Sequence, residues 1–140
     1  MEKTKILILL ISILMISSCV FNQVADYDRD TTFRIIKISR RVDIFFITLL
    51  EEEPDERLYE KSSSNYIEIE IELRSLIMQN KMRPKNEESI KISEHILQNW
   101  LEYKAAHKKN DAYKNSLIDV DWSTIREQFY ALAVAEAAKK

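Results

Sequence analysis

The sequence predicts an all-α fold, an antiparallel up-down four-helix bundle behind a signal peptide and a short tether. Three observations predict it. The 140 residues contain no glycine and two prolines, where average usage would give roughly ten glycines. Apolar residues recur at spacings of three and four along four long segments, the period of helices that pack on one face. Acidic residues gather where these segments start and basic residues where they end, which suits the two ends of the helix dipole. Glycine is the usual residue wherever backbone takes positive φ or closely approaches a phosphate. Its absence argues against dinucleotide fingerprints, P-loops and tight primed hairpins.

Taken in order, the first element is a leader over residues 1–18. Lys3 and Lys5 form a positive head, Ile6 to Ile16 an apolar run broken only by Ser12, and Ser17-Ser18 a small-residue exit before Cys19. A membrane span needs about 20 apolar residues, and this run is well short of that. A charged head, a short apolar run and small residues at the exit are the features of a secretory signal peptide. An uncleaved anchor, an ordinary signal with a chance cysteine, and a buried thiol are the competing readings of the same residues.

The stretch Ile16-Ser17-Ser18-Cys19 resembles the lipobox of bacterial lipoproteins, with an aliphatic residue three places before the cysteine and small residues between. The resemblance implies a diacylglycerol on the Cys19 sulfur, cleavage before it, and acylation of the new amine, palmitate being a typical chain. Ile16 and Ser18 depart from the commonest Leu and Gly or Ala. Lipidation would use the single cysteine and leave the mature chain without a disulfide framework. Two or three acyl chains hold firmly to a bilayer, whereas one binds only marginally. Val20 stands where an aspartate would resemble an inner-membrane retention signal. The expected location is therefore the outer membrane, facing the periplasm.

Residues 19–29 read as a lipidated tether, polar and without periodicity, that could reach up to about 35 Å when extended. Residues 30–140 read as one helical domain with a single core. In the first helix Ile35, Ile38, Val42, Phe45 and Leu49 form an inward seam, with Asp30 or Thr31 as the expected cap. Glu51-Glu52-Glu53 lead to a second helix expected from about Pro54 to Asn80, with Pro54 at its first position. Within it, Ile67 to Leu73 alternate apolar and acidic like a strand, yet glutamate is poor in strands and no partner strand is in sight. As a helix, Tyr66, Ile69, Leu73, Leu76 and Ile77 share one face. Ile67, Ile71, Met78 and Met82 then make a second stripe nearly opposite, either buried within the bundle or against the tail, or a contact surface. Ser62-Ser63-Ser64 reads as a weak spot or bend. Pro84 restarts the pattern for a third helix carrying Ile92, Ile96, Trp100 and Tyr103 inward, and Asp121 or Ser123 starts a fourth with Ile125, Phe129, Leu132 and Ala135 inward. Trp100 and Trp122 read as core anchors with their indole N–H groups at the bundle edge.

Chemistry is harder to find. His95 and His107 lie about 120° apart around one helix and cannot jointly hold a metal. Neither has the glutamate three residues earlier that a di-iron bundle needs, and no Cys-x-x-Cys-His haem attachment is present. Glu51 to Glu53, Glu68 and Glu72 lie on charge-dense faces without the shaped, buried cleft that acid–base catalysis requires. Without the leader's Glu2, Lys3 and Lys5, the totals of 21 basic and 23 acidic residues fall to 19 and 22. A balance of −3 with no basic block disfavours nucleic acid as a partner. No catalytic residue, metal site or cofactor is expected. The expected function is a non-enzymatic lipoprotein of the cell envelope that holds an envelope protein or a second copy through Ile67, Ile71, Met78 and Met82. The alternative is a periplasmic bundle that carries a small ligand or haem near His95 or His107.

Overall fold

The computed structural model describes residues 24–140, which form four helices: α1 Arg29–Glu51, α2 Tyr59–Lys81, α3 Glu87–Asn110 and α4 Asn115–Ala137. Each packs on its neighbours in the chain, and α1 closes the ring on α4. Helices α1 and α3, and likewise α2 and α4, face each other across the diagonal. The expected up-down four-helix bundle is what the chain forms.

The seams read from the sequence are the core. Ile35, Ile38, Val42, Phe45 and Leu49 of α1 meet Tyr66, Ile69, Leu73 and Leu76 of α2, Ile96 and Trp100 of α3, and Ile125, Phe129 and Leu132 of α4. The segment Ile67 to Leu73 is helical. Its alternation splits across two faces, Ile69 and Leu73 inward and Ile67 and Ile71 outward. Phe45 sits at the centre of an aromatic cluster, with ring centroids 4.7 Å from Tyr66 and 5.0 Å from Trp100. Burying rings edge to face in this way adds to their area burial.

Several boundaries differ from expectation, each for a non-local reason. Helix α1 is capped by Asp28, not by Asp30 or Thr31: its carboxylate accepts from the backbone N–H groups of Asp30 and Thr31 and, at 2.5 Å, from the Thr31 hydroxyl. Pro54 does not open α2. It occupies the second position of a turn closed by the Glu56 N–H on the Glu53 carbonyl at 2.9 Å, a place where its fixed φ is favoured. Helix α2 starts at Tyr59, so Ser62-Ser63-Ser64 lie in its first turns and make no bend. Helix α4 starts at Asn115, ahead of the expected Asp121 or Ser123, because Ile118 is fully buried and draws the segment onto the core. The Trp100 indole N–H is not at the bundle edge. It donates to the Tyr66 carbonyl at 3.0 Å inside the core.

Ala25 and Asp28, expected to belong to a tether, are held against the bundle. Ala25 is buried and its N–H donates to the Lys85 carbonyl at 2.9 Å. The bundle therefore holds the chain from residue 25 onward.

Candidate functional site

The two ends of the bundle carry buried polar groups and are the first places to look for chemistry. At the end where residue 25 enters, the Glu136 carboxylate has no exposed surface. It accepts from Arg83 at 2.8 and 3.0 Å, from Lys139 at 2.6 Å and from the Asp28 N–H at 3.0 Å. Burial opposes its charge, but the bonds from Arg83, Lys139 and Asp28 outweigh that and hold it below the usual carboxylate range. Lys139 also donates to Asn86 Oδ1 at 2.5 Å and Ser89 Oγ at 2.8 Å. Asn80 and Ser93 continue the network at 2.9 Å. Every charge here has an opposite charge in contact, and the acid is held ionised by two cations. Such a group is a poor proton donor or base. The cluster fastens α2, α3, α4 and the entering chain together.

At the far end, Arg57 is almost fully buried. It donates to the Glu52 carbonyl at 2.7 and 2.9 Å, to the Tyr113 carbonyl at 3.1 Å and to Asn115 Oδ1. Helix α1 has no basic residue in its last turn, so this guanidinium supplies the positive charge and donors that its carbonyls lack. His107 lies alongside, its Nε2 2.8 Å from the Arg57 carbonyl and its Nδ1 3.2 Å from the Tyr66 hydroxyl. A carbonyl only accepts, so Nε2 carries the proton and Nδ1 accepts from Tyr66. Burial lowers the His107 pKa below the ordinary value, which keeps the ring neutral. Both ring nitrogens are engaged, and His95 lies on the exposed face of α3. Among the described residues, no group of three or more His, Cys, Asp or Glu is placed to hold a metal ion.

The outer surface is different. Ile67, Ile71, Met78 and Met82 are 48, 60, 61 and 79 % exposed, so the bundle does not cover the second stripe of α2. At about 100° per residue they fall within a sector of roughly 60°. Helix α1 carries a matching stripe that the sequence reading missed: Phe33, Ile36, Ile44 and Ile47 are also exposed. They fall within a sector of roughly 80° opposite the inward seam. Their spacing was the available signal, hidden because α1 already had a complete apolar face.

Between the two stripes runs a ladder of charge. Arg41 meets Glu68 at 2.6 Å and Glu72 at 2.7 Å, Lys37 meets Glu72 at 3.4 Å, and Arg34 donates to Ser75 at 2.7 Å. Phe33 and Ile71 share a groove of about 620 Å³ across this ladder. Farther along, Ile44 shares a smaller one of about 140 Å³ with Asn65 and Glu68. Exposed apolar stripes of this extent mark interaction sites more often than bare surface. Cys19, the expected lipidation site, lies outside the described residues. Among the described residues, no helix is long and apolar enough to cross a membrane.

No protein-family model matches the chain, and searches of curated proteins and of solved structures also return no match.

Proposed function

We propose that the chain is a membrane-anchored bacterial lipoprotein that works as a non-enzymatic protein-binding or structural module of the cell envelope. The anchor is Cys19, on the lipobox resemblance, and the location is the outer membrane on its periplasmic side. The observation that carries the binding role is the pair of exposed apolar stripes on α1 and α2, centred on Phe33 and Ile71. The buried ion cluster supports the same reading, because Arg83, Glu136 and Lys139 are paired with one another.

Two measurements test it. Mass spectrometry of the membrane-extracted protein should give a mature chain beginning at Cys19 and carrying acyl groups. A chain beginning elsewhere, or an unmodified thiol, removes the anchor. Capture of neighbours from the native envelope by in-cell crosslinking should give a specific protein partner that Ile71→Asp abolishes while the helical circular dichroism is kept. Equal capture by the wild type and by Ile71→Asp removes the binding face.

A further inference from the structure

We infer that the occupant of the α1/α2 face is a second copy of this chain, docked about a two-fold axis that runs parallel to the helices; this rests on the protein-binding role proposed above.

The reason is the pattern of charge between the stripes. The outer side of α1 presents Arg34, Lys37 and Arg41 beside Phe33 and Ile44, and the facing side of α2 presents Glu68 and Glu72 beside Ile71 and Ile67. The face is therefore basic along one helix and acidic along the other, with an apolar stripe on each. A two-fold axis parallel to the helices lays α1 of one copy on α2 of the other, and leaves heights along the bundle unchanged. Arg34 meets Ser75, Lys37 meets Glu72 and Arg41 meets Glu68, a register that sets Phe33 within about one turn of Met78 and brings Phe33 of each copy over Met78 of the other. Ile44 lies at the height of Asn65 and Glu68, next to Ile67, and the same operation brings it over that turn. Basic and acidic rows then meet across the interface as well as within each copy.

The two-fold that runs across the helices instead lays α1 on α1. It sets Lys37 and Arg41 against the same residues of the second copy, and like charges in contact oppose that arrangement. An isologous interface must be complementary to itself, and of these two axes the parallel one makes this face so. Two helices of 23 residues offer a face on the order of 35 by 20 Å, or roughly 700 Å². That is close to the about 800 Å² per partner of a standard stable interface. The parallel axis also puts residue 25 of both copies at the same end, so both could leave toward one bilayer.

The test uses the full chain in cells with a membrane-permeant thiol oxidant, the wild type with its one cysteine, Cys19, serving as control. Differently tagged Phe33→Cys and Met78→Cys chains are co-expressed and should give a mixed disulfide-linked dimer. Gln98→Cys, on the outer side of α3, should not crosslink with either. Adding Ile44→Asp to both chains should remove the mixed dimer while circular dichroism still reports a folded bundle. Failure of the Phe33–Met78 pair to link, or linkage of Gln98→Cys with equal yield, overturns the second copy as occupant. The wider reading falls separately: it survives a missing self-crosslink if Ile71→Asp loses a different captured envelope protein, and fails if the wild type captures none.

Discussion

Replacing Glu136 by leucine tests whether the ion cluster at the entry end holds the bundle together. The carboxylate is fully buried, Lys139 is 4 % exposed and Arg83 15 %, so the variant strands two cations in low dielectric. Breaking a buried pair by removing one partner costs about 3–5 kcal/mol. Lys139 keeps Asn86 and Ser89 as acceptors and Arg83 keeps the Asp26 carbonyl, so the loss should sit near the lower limit, about 3 kcal/mol. For a domain of this size that is a fall of roughly 10 °C in Tm. Urea unfolding followed by circular dichroism should show a lower midpoint at unchanged slope. Glu136→Gln should lose less, since shape and neutral acceptors remain. The triple variant Arg83→Met, Glu136→Leu, Lys139→Met should be more stable than Glu136→Leu alone, because no charge is stranded. The pH profile adds an independent check. The folded pKa of Glu136 lies below its ordinary value of 4.5, so its stabilisation is present above that value and lost as pH falls through the folded one. Asp28, held low by the Thr31 hydroxyl bond, adds in the same direction. A Glu136→Leu variant within about 1 kcal/mol of wild type, with the same acid profile, would refute the reasoning.

Three further outcomes follow from the same structure. The buried His107 ring resists protonation, its folded pKa lying below the ordinary 6.5; the unfolded chain takes up that proton first, so stability should fall as pH drops below 6.5, by at most about 1.4 kcal/mol per unit. Urea midpoints of wild type and His107→Gln across this range should differ in slope, and parallel slopes would exclude the ring as the cause. Trp100→Ala removes a fully buried side chain and should cost about 3–5 kcal/mol, whereas Trp100→Phe should cost only the packing difference and the indole bond to the Tyr66 carbonyl; equal losses in thermal melts would contradict the cavity argument. Asp111 ends α3 at φ 46° and its carboxylate accepts from the Tyr59 N–H at 3.0 Å, capping α2; Asp111→Asn should therefore be close to neutral, and Asp111→Ala should lose about 2 kcal/mol through strain and the missing cap, with an Ala variant as stable as Asn counting against both.

The fold was legible because helical periodicity is a local property. The inward seams needed no knowledge of the rest of the chain, and even the strand-like run from Ile67 to Leu73 yielded once the outward positions Ile67 and Ile71 were separated from Ile69 and Leu73. What the sequence concealed was set by distant partners. Pro54 looked like a helix start because a first-turn proline with Asp55 and Glu56 behind it fits the local rules. The bundle instead needed Arg57 buried among the carbonyls of Glu52 and Tyr113, which lie in two different connections. Helix α2, with no side-chain cap of its own, borrows one from Asp111 of the α3–α4 connection. No spacing rule links residues 59 and 111. The α1 stripe escaped for the opposite reason: Phe33, Ile36, Ile44 and Ile47 obey the same period as the seam and are visible only once that seam has been assigned to the core.

The clamp on residues 25–29 changes what an anchor at Cys19 could do. A free tether of residues 19–29 could reach about 35 Å, far enough for the bundle to tumble and present any face to the leaflet. With Ala25 bonded to the Lys85 carbonyl and Asp28 to Glu136, only residues 19–24 lie before the packed chain, a reach of at most about 20 Å. That is shorter than the helices themselves, at about 35 Å each. On the proposed anchor, the entry end is therefore kept near the lipid, and the α1/α2 face extends away from the bilayer. It is thus open sideways to whatever stands on the same leaflet. Two copies tethered in this way meet in the parallel sense, the sense in which their basic and acidic rows oppose each other. Loosening the Glu136 cluster should lengthen the reach and weaken that bias, so the stability of the entry end and the geometry of association are one property of this chain.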